Sequence, residues 1–114
     1  MASTPKRLSG PAQLSTAATT IYTVPAATKT VVRYIHVQNP SGSPVNFTMS
    51  IGTDAAGTRI YDAYSIPGAA PGVTGSVLDL WCYHVLEAAE VLQAFCGTSS
   101  TLVITVDGDE KTLG

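Results

Sequence analysis

The clearest pattern in the chain lies between Lys29 and Ile51. Val45, Phe47, Met49 and Ile51 alternate with Asn46, Thr48 and Ser50, the period-two signature of a strand with one buried and one wetted face. The run before it is less pure: Val31, Ile35 and Val37 share a parity with Arg33, while Val32, Tyr34, His36 and Gln38 take the other. Its β-branched content predicts a strand, and the mixed parity predicts a bulge near Arg33. Asn39, Pro40, Ser41, Gly42, Ser43 and Pro44 separate the two runs. These are turn residues, so the pair reads as a β-hairpin.

The same reading extends along the chain. Residues 1–11 contain two prolines and the basic pair Lys6-Arg7 without alternation, which predicts an extended N-terminal arm lying on a neighbour or loose in solvent. Gln13 to Val24 supports one or two short strands ending at Pro25. After a polar loop, Arg59 to Ile66 forms another strand, and the Pro-Gly-Ala-Ala-Pro-Gly run from Pro67 to Gly72 excludes helix and central strand. Val91 to Cys96 and Thr101 to Val106 alternate again, and Asp107 to Gly114 reads as an acidic tail. Glu87 to Phe95 contains good helix formers, but its marginal length and the nearby Gly97 favour turn and strand.

Gly75 to Leu86 departs from simple alternation. Leu78, Leu80, Cys82 and Leu86 occupy one parity, and Val77, Trp81, Tyr83 and Val85, with Asp79, the other. A strand apolar on both sides either sits between two layers or is covered by another subunit. Trp81 and Tyr83 then either complete the domain core or anchor a subunit contact. In a chain this short the second is favoured, with Val85, Tyr61, Lys6 and Arg7 as further interface candidates.

Seven or eight short strands with closely spaced turn signals predict an all-β antiparallel sandwich, jelly-roll or immunoglobulin-like. The domain is expected over residues 12–107, flanked by the arm (1–11) and the tail (108–114). At 114 residues the chain suffices for a single core.

Composition sharpens this picture. Hydrophobic residues make up 45% of the chain and charged residues only 12%, against about a quarter charged in ordinary domains. The surface must therefore be rich in Ser, Thr, Ala and Gly, which suits packing against other chains. A formal charge of -2 provides no field for nucleic acid or anionic lipid, so neither nucleic acid nor membrane is an expected partner. The N-terminus lacks the apolar stretch of a signal peptide, so synthesis in the cytoplasm is expected, and the Asn46-Phe47-Thr48 sequon is read as a chance match. Cys82 and Cys96 would face each other if Trp81–Leu86 and Val91–Cys96 formed a hairpin; in a cytoplasmic product they are expected as reduced, buried thiols.

Candidate chemistry is sparse. A nucleophile needs a base, and His36 and His84 are the only histidines. Cys82, His84 and Cys96 are chemically suitable zinc ligands, but they lack a fourth member and paired Cys-x-x-Cys spacing. The carboxylates from Asp107 to Glu110 lack the ligand spacing of a calcium loop. No enzyme, cofactor or metal is expected. Tyr61, Tyr64 and Trp81 are the aromatics a sandwich would offer to a carbohydrate.

Three stretches carry a resemblance: PKRL at Pro5–Leu8, IYTVPAATKTVVRYIHVQNPSGSPVNFTMSIG at Ile21–Gly52, and SVLDLWCYHVLEAAEVLQAFCG at Ser76–Gly97. They resemble a group of small β-sandwich bacteriophage virion proteins. The likeness implies a structural protein of the tailed-phage virion: a minor tail or tail-tip component, or a capsid decoration protein. It also implies assembly as a homo-oligomer, typically a trimer, with other tail or capsid proteins as partners. A carbohydrate-binding module contacting the host surface through Tyr61, Tyr64 and Trp81 is the alternative from a different class. The chain departs from the group's Ala-Gly-Asp turn at Ala88-Ala89-Glu90, and Trp81-Cys82-Tyr83-His84 goes beyond its pattern.

Overall fold

A computed structural model describes residues 3–68, 76–97 and 102–113. Eight strands fill it: β1 (Ser3–Gln13), β2 (Thr19–Thr23), β3 (Thr28–Gln38), β4 (Val45–Ile51), β5 (Arg59–Ile66), β6 (Val77–Leu86), β7 (Val91–Cys96) and β8 (Val103–Thr112). They form two four-stranded sheets, ordered β1-β8-β3-β6 and β2-β7-β4-β5, and every pairing is antiparallel. Successive strands change sheet everywhere except at β4–β5, which is the winding of a jelly roll. The expected all-β sandwich is therefore the fold, and the Glu87–Phe95 stretch holds a turn and β7 instead of a helix.

Both expected hairpins are corrected by this winding. β3 and β4 lie in opposite sheets, as do β6 and β7, so Asn39–Pro44 carries the chain across the sandwich. Local alternation defines each strand, but the partner is chosen by which apolar faces can be buried together. Cys82 on β6 and Cys96 on β7 consequently sit in different sheets and are not joined. The bulge expected near Arg33 is present: β3 shifts register between Val32 and Tyr34 against both β6 and β8.

The arm and the tail are also corrected. The described part of the arm belongs to β1, which pairs with β8 from Ser3↔Lys111 to Gln13↔Val103. β1 escapes a pattern search because it is an edge strand with only Leu8 buried, and an edge tolerates Pro5 and Pro11. The supposed tail is the second half of β8. There Gly108 faces inward so closely that a Cβ would lie 2.1 Å from the Val31 carbonyl oxygen. The breaker run from Pro67 to Gly72 and the Gly97–Ser100 turn fall largely outside the described residues.

The inward rows meet in one core. Val32, Ile35, Val37, Ile104 and Val106 come from the first sheet, and Val45, Phe47, Met49, Leu92 and Ala94 from the second. At about 1.5–3 kcal/mol for each large side chain fully buried, this layer is the main cohesive term.

Candidate functional site

Among the described residues, the outer face of the first sheet carries the two most exposed large apolar side chains, Trp81 and Tyr83. On β6, Trp81 is 82% exposed, Tyr83 66%, Val85 41% and Val77 39%. The core alternative for Trp81 and Tyr83 is thus overturned: the inward parity of β6 is that of Leu78, Leu80, Cys82, His84 and Leu86.

The register of the sheet arranges the neighbours of these aromatics in rows. Trp81 pairs with Tyr34, Tyr34 with Asp107, and Asp107 with Arg7, so one row crosses all four strands. The bulge in β3 interrupts alternation, and Arg33 and Tyr34 both reach this face. The Tyr34 and Trp81 rings lie 4.4 Å apart between centroids, and the Arg33 guanidinium sits 5.4 Å from the Tyr83 ring centre, within cation–π range. A shallow groove of about 540 Å³ runs between Trp81, Tyr34, Arg33, Arg7, Asp107 and Asp109. A second, of about 380 Å³, follows Tyr83, Val85, Val31 and Lys29.

Two charge pairs lie on this face. Arg33 pairs with Asp109, and Asp79 accepts from the Tyr34 hydroxyl and pairs with His36. The Tyr34 hydrogen bond, then that of His36, holds the Asp79 carboxyl below its usual range. Such exposed pairs contribute little to stability. Their effect here is to hold Arg33, Tyr34 and His36 in place around the aromatic ridge.

The remaining sequence candidates lie elsewhere. Tyr61, on β5 of the second sheet, is half-buried, stacks on Phe47 at 6.3 Å and shares a 3.1 Å hydrogen bond with His84. Tyr64 is 47% exposed on the same strand. Tyr61, Tyr64 and Trp81 therefore do not share one glycan platform. Cys96 is buried with its thiol against the Leu14 carbonyl, and Cys82 lies against that of Val32. Among the described residues no group of three or more His, Cys, Asp or Glu is placed to hold a metal ion. Arg33 and Tyr34 are site residues the sequence did not single out, although the broken parity at Arg33 was their signal.

Lys6 also lines the first groove, and its amine sits beside a clamp between the sheets. The Tyr22 hydroxyl lies 2.8 Å from Thr30 Oγ1 and donates to Glu110, whose other carboxylate oxygen takes Lys6 Nζ at 3.2 Å. Burial, with the Glu110 hydrogen bond next, pushes the Tyr22 hydroxyl up to about 12. The same bond holds Glu110 below the usual carboxylate range.

These shifts fix a pH profile. A depressed carboxyl contributes stability above its unfolded pKa of about 4.3 and loses it as pH falls through the lower folded value. A raised phenol contributes below about 10 and loses its share as pH climbs from there toward the folded value. Tyr22→Phe is expected to lower stability by about 1.5–3 kcal/mol at pH 7, the range for a hydrogen bond to a charged group. It should also flatten both legs of the profile, as read from urea midpoints at pH 3, 7 and 11. A variant that tracks the parent at every pH would show that the clamp carries no load.

Compared with known proteins, the chain matches no family model, no curated protein and no solved structure.

Proposed function

We propose that this chain is a non-enzymatic structural subunit that works by covering the outer face of its first sheet with neighbouring protein. The observation that carries this reading is Trp81, 82% exposed on a paired strand beside the exposed Tyr83 and Val85. Leaving such a ridge in water is unfavourable at about 25 cal/mol per Å², and aromatics on rigid backbone are what dominates protein interfaces. The sequence resemblance supports the finer reading of a tailed-bacteriophage virion protein, placed at the tail or tail tip, with capsid decoration as the second placement.

Trp81→Arg provides the test. As a surface change away from the core it should cost the monomer no more than about 0.5–1.5 kcal/mol, the worth of its ring contact with Tyr34. As the loss of an interface anchor it should weaken association by about 2 kcal/mol or more. Sedimentation of both proteins across a concentration series reads the second effect, and thermal melts read the first. Parent protein that stays monomeric at high concentration and is missing from virions by mass spectrometry would remove the proposal. Immunogold label on heads instead of tails would select decoration.

A further inference from the structure

β6 ends its sheet, and both of its side-chain rows are incompletely covered. The outer row is the exposed Val77, Trp81, Tyr83 and Val85. The inner row, Leu78, Leu80 and Cys82, packs against the core yet stays only half-buried. A partner lying flat on the outer face would cover the first row and leave the second on the open flank. A strand added beyond the edge would flank both rows and pair the edge backbone as well.

β6 carries one device that protects an edge, the bulge in which its Cys82 and Tyr83 together oppose Arg33 of β3, but it lacks those that depend on side-chain type. Its ten residues include no proline and no lysine, and a single carboxylate, Asp79, which is occupied by Tyr34 and His36.

We propose that the strand completing this edge is β6 of a second copy, antiparallel about a two-fold axis at Cys82, which joins the first sheets of two chains into one eight-stranded sheet. This inference rests on the assembly reading above but seats the neighbour beside the edge of that face, not flat on it, and specifies its partner and symmetry.

The strand's own sequence argues for a copy of itself. An adjoining strand must be apolar on both rows and of similar length, as β6 is. Centring on Cys82 keeps inner rows with inner and outer with outer, since facing residues of antiparallel strands share a side. Each Trp81 then faces the partner's Tyr83, which gives two cross-strand aromatic pairs, and Leu80 faces the partner's His84. Asp79 faces the partner's Val85, so no carboxylate opposes another. Centring on Trp81 instead yields one indole pair and sets Asp79 against a tyrosine ring. A two-fold contact of this kind closes on itself, giving a pair of chains in place of the trimer that the resemblance implies.

The register makes a covalent readout available, because it brings two Cys82 residues opposite one another. Cross-strand neighbours have Cα atoms about 4.5–5.5 Å apart, inside the range a disulfide spans. Diamide can supply the oxidation, taking two electrons and two protons from the facing thiols as the S–S bond forms. Burial pushes the Cys82 thiol up, so the reaction is run at mildly alkaline pH.

The experiment combines light scattering of the parent with diamide treatment of the parent, Cys82→Ser and Tyr83→Lys. The expected result is a two-chain mass and one covalent dimer on non-reducing gels. Cys82→Ser should remain a two-chain particle without the cross-link, and Tyr83→Lys should weaken association at least about tenfold. A two-chain or three-chain particle that does not cross-link through Cys82 overturns the edge pairing and leaves the assembly reading standing. Parent protein that is monomeric at every concentration overturns the pairing, and the assembly reading then rests on virion composition alone.

Discussion

Asn39→Asp is expected to destabilise the protein by about 3–5 kcal/mol at neutral pH, the range for leaving an uncompensated buried charge. Asn39 is fully buried at the end of β3. Its Nδ2 donates to the carbonyls of Ser43 at 2.9 Å, Ile66 at 3.0 Å and Pro67 at 3.3 Å. Its Oδ1 accepts from the Ser41 backbone N–H at 3.0 Å and the Ser41 hydroxyl at 2.8 Å. One side chain thus ties the β3–β4 crossing to the end of β5 and links the sheets at that corner. The substitution keeps the shape but turns the donor into an acceptor facing three carbonyl oxygens.

Burial and those carbonyls raise the introduced carboxyl's pKa above its unfolded value of about 3.9. A group raised on folding favours the native state below its unfolded pKa and loses that support as pH climbs through the folded value. The deficit relative to the parent should therefore be smallest in acid and grow toward neutrality. Asn39→Ala should be destabilised without that extra pH dependence. Urea unfolding of the three proteins at pH 4 and pH 7, followed by far-ultraviolet circular dichroism, measures this. Equal deficits at both pH values for the acidic variant would mean that the corner opens to water.

Phe47→Ala is the second large effect, expected at about 3–5 kcal/mol. Phe47 is fully buried on β4, between β7 and β5 in the second sheet, with Tyr61 stacked on it. Truncation opens a cavity in the core and removes the ring that supports Tyr61, whose hydroxyl reaches His84 on β6. If Tyr61 swings into the space, the cost falls toward the lower end of the range, because partial collapse recovers packing. Circular dichroism is the suitable probe, since the lone tryptophan, Trp81, is mostly solvent-exposed in the folded chain. Set beside Trp81→Arg, the pair separates two roles for large aromatics. Loss of the buried one costs the monomer its stability; loss of the exposed one costs the association. Similar melting shifts for both would place Trp81 inside the folding unit and undo the assembly argument.

The strands and their inward rows were legible in the chain because alternation is a local property of a half-buried strand. Val45, Phe47 and Met49 point inward as their spacing requires, and broken parity at Arg33 marked a real bulge. The doubly apolar character of β6 likewise marked the face that stays uncovered. Three things were beyond the reach of local pattern. β1 is an edge strand with one buried side chain, so it lacks alternation to read. The end of β8 looked like a solvated tail because its carboxylates find Arg33, Lys6 and Tyr22, which are remote in sequence. The sheet partners of β3 and β6 were assigned to their sequence neighbours, whereas the jelly-roll winding sends those neighbours across the core.

By itself, then, the sequence determined the class of fold, the position of most strands and which side chains each strand turns inward. Only the tertiary structure decided which strands pair, that Asn39 ties the two sheets at a corner, and that Trp81, Tyr34, Arg33 and Asp109 share one face. The physical reason is range: pleating fixes a side chain's direction from its immediate neighbours, while pairing depends on the burial of whole faces and on ion pairs formed between residues far apart along the chain.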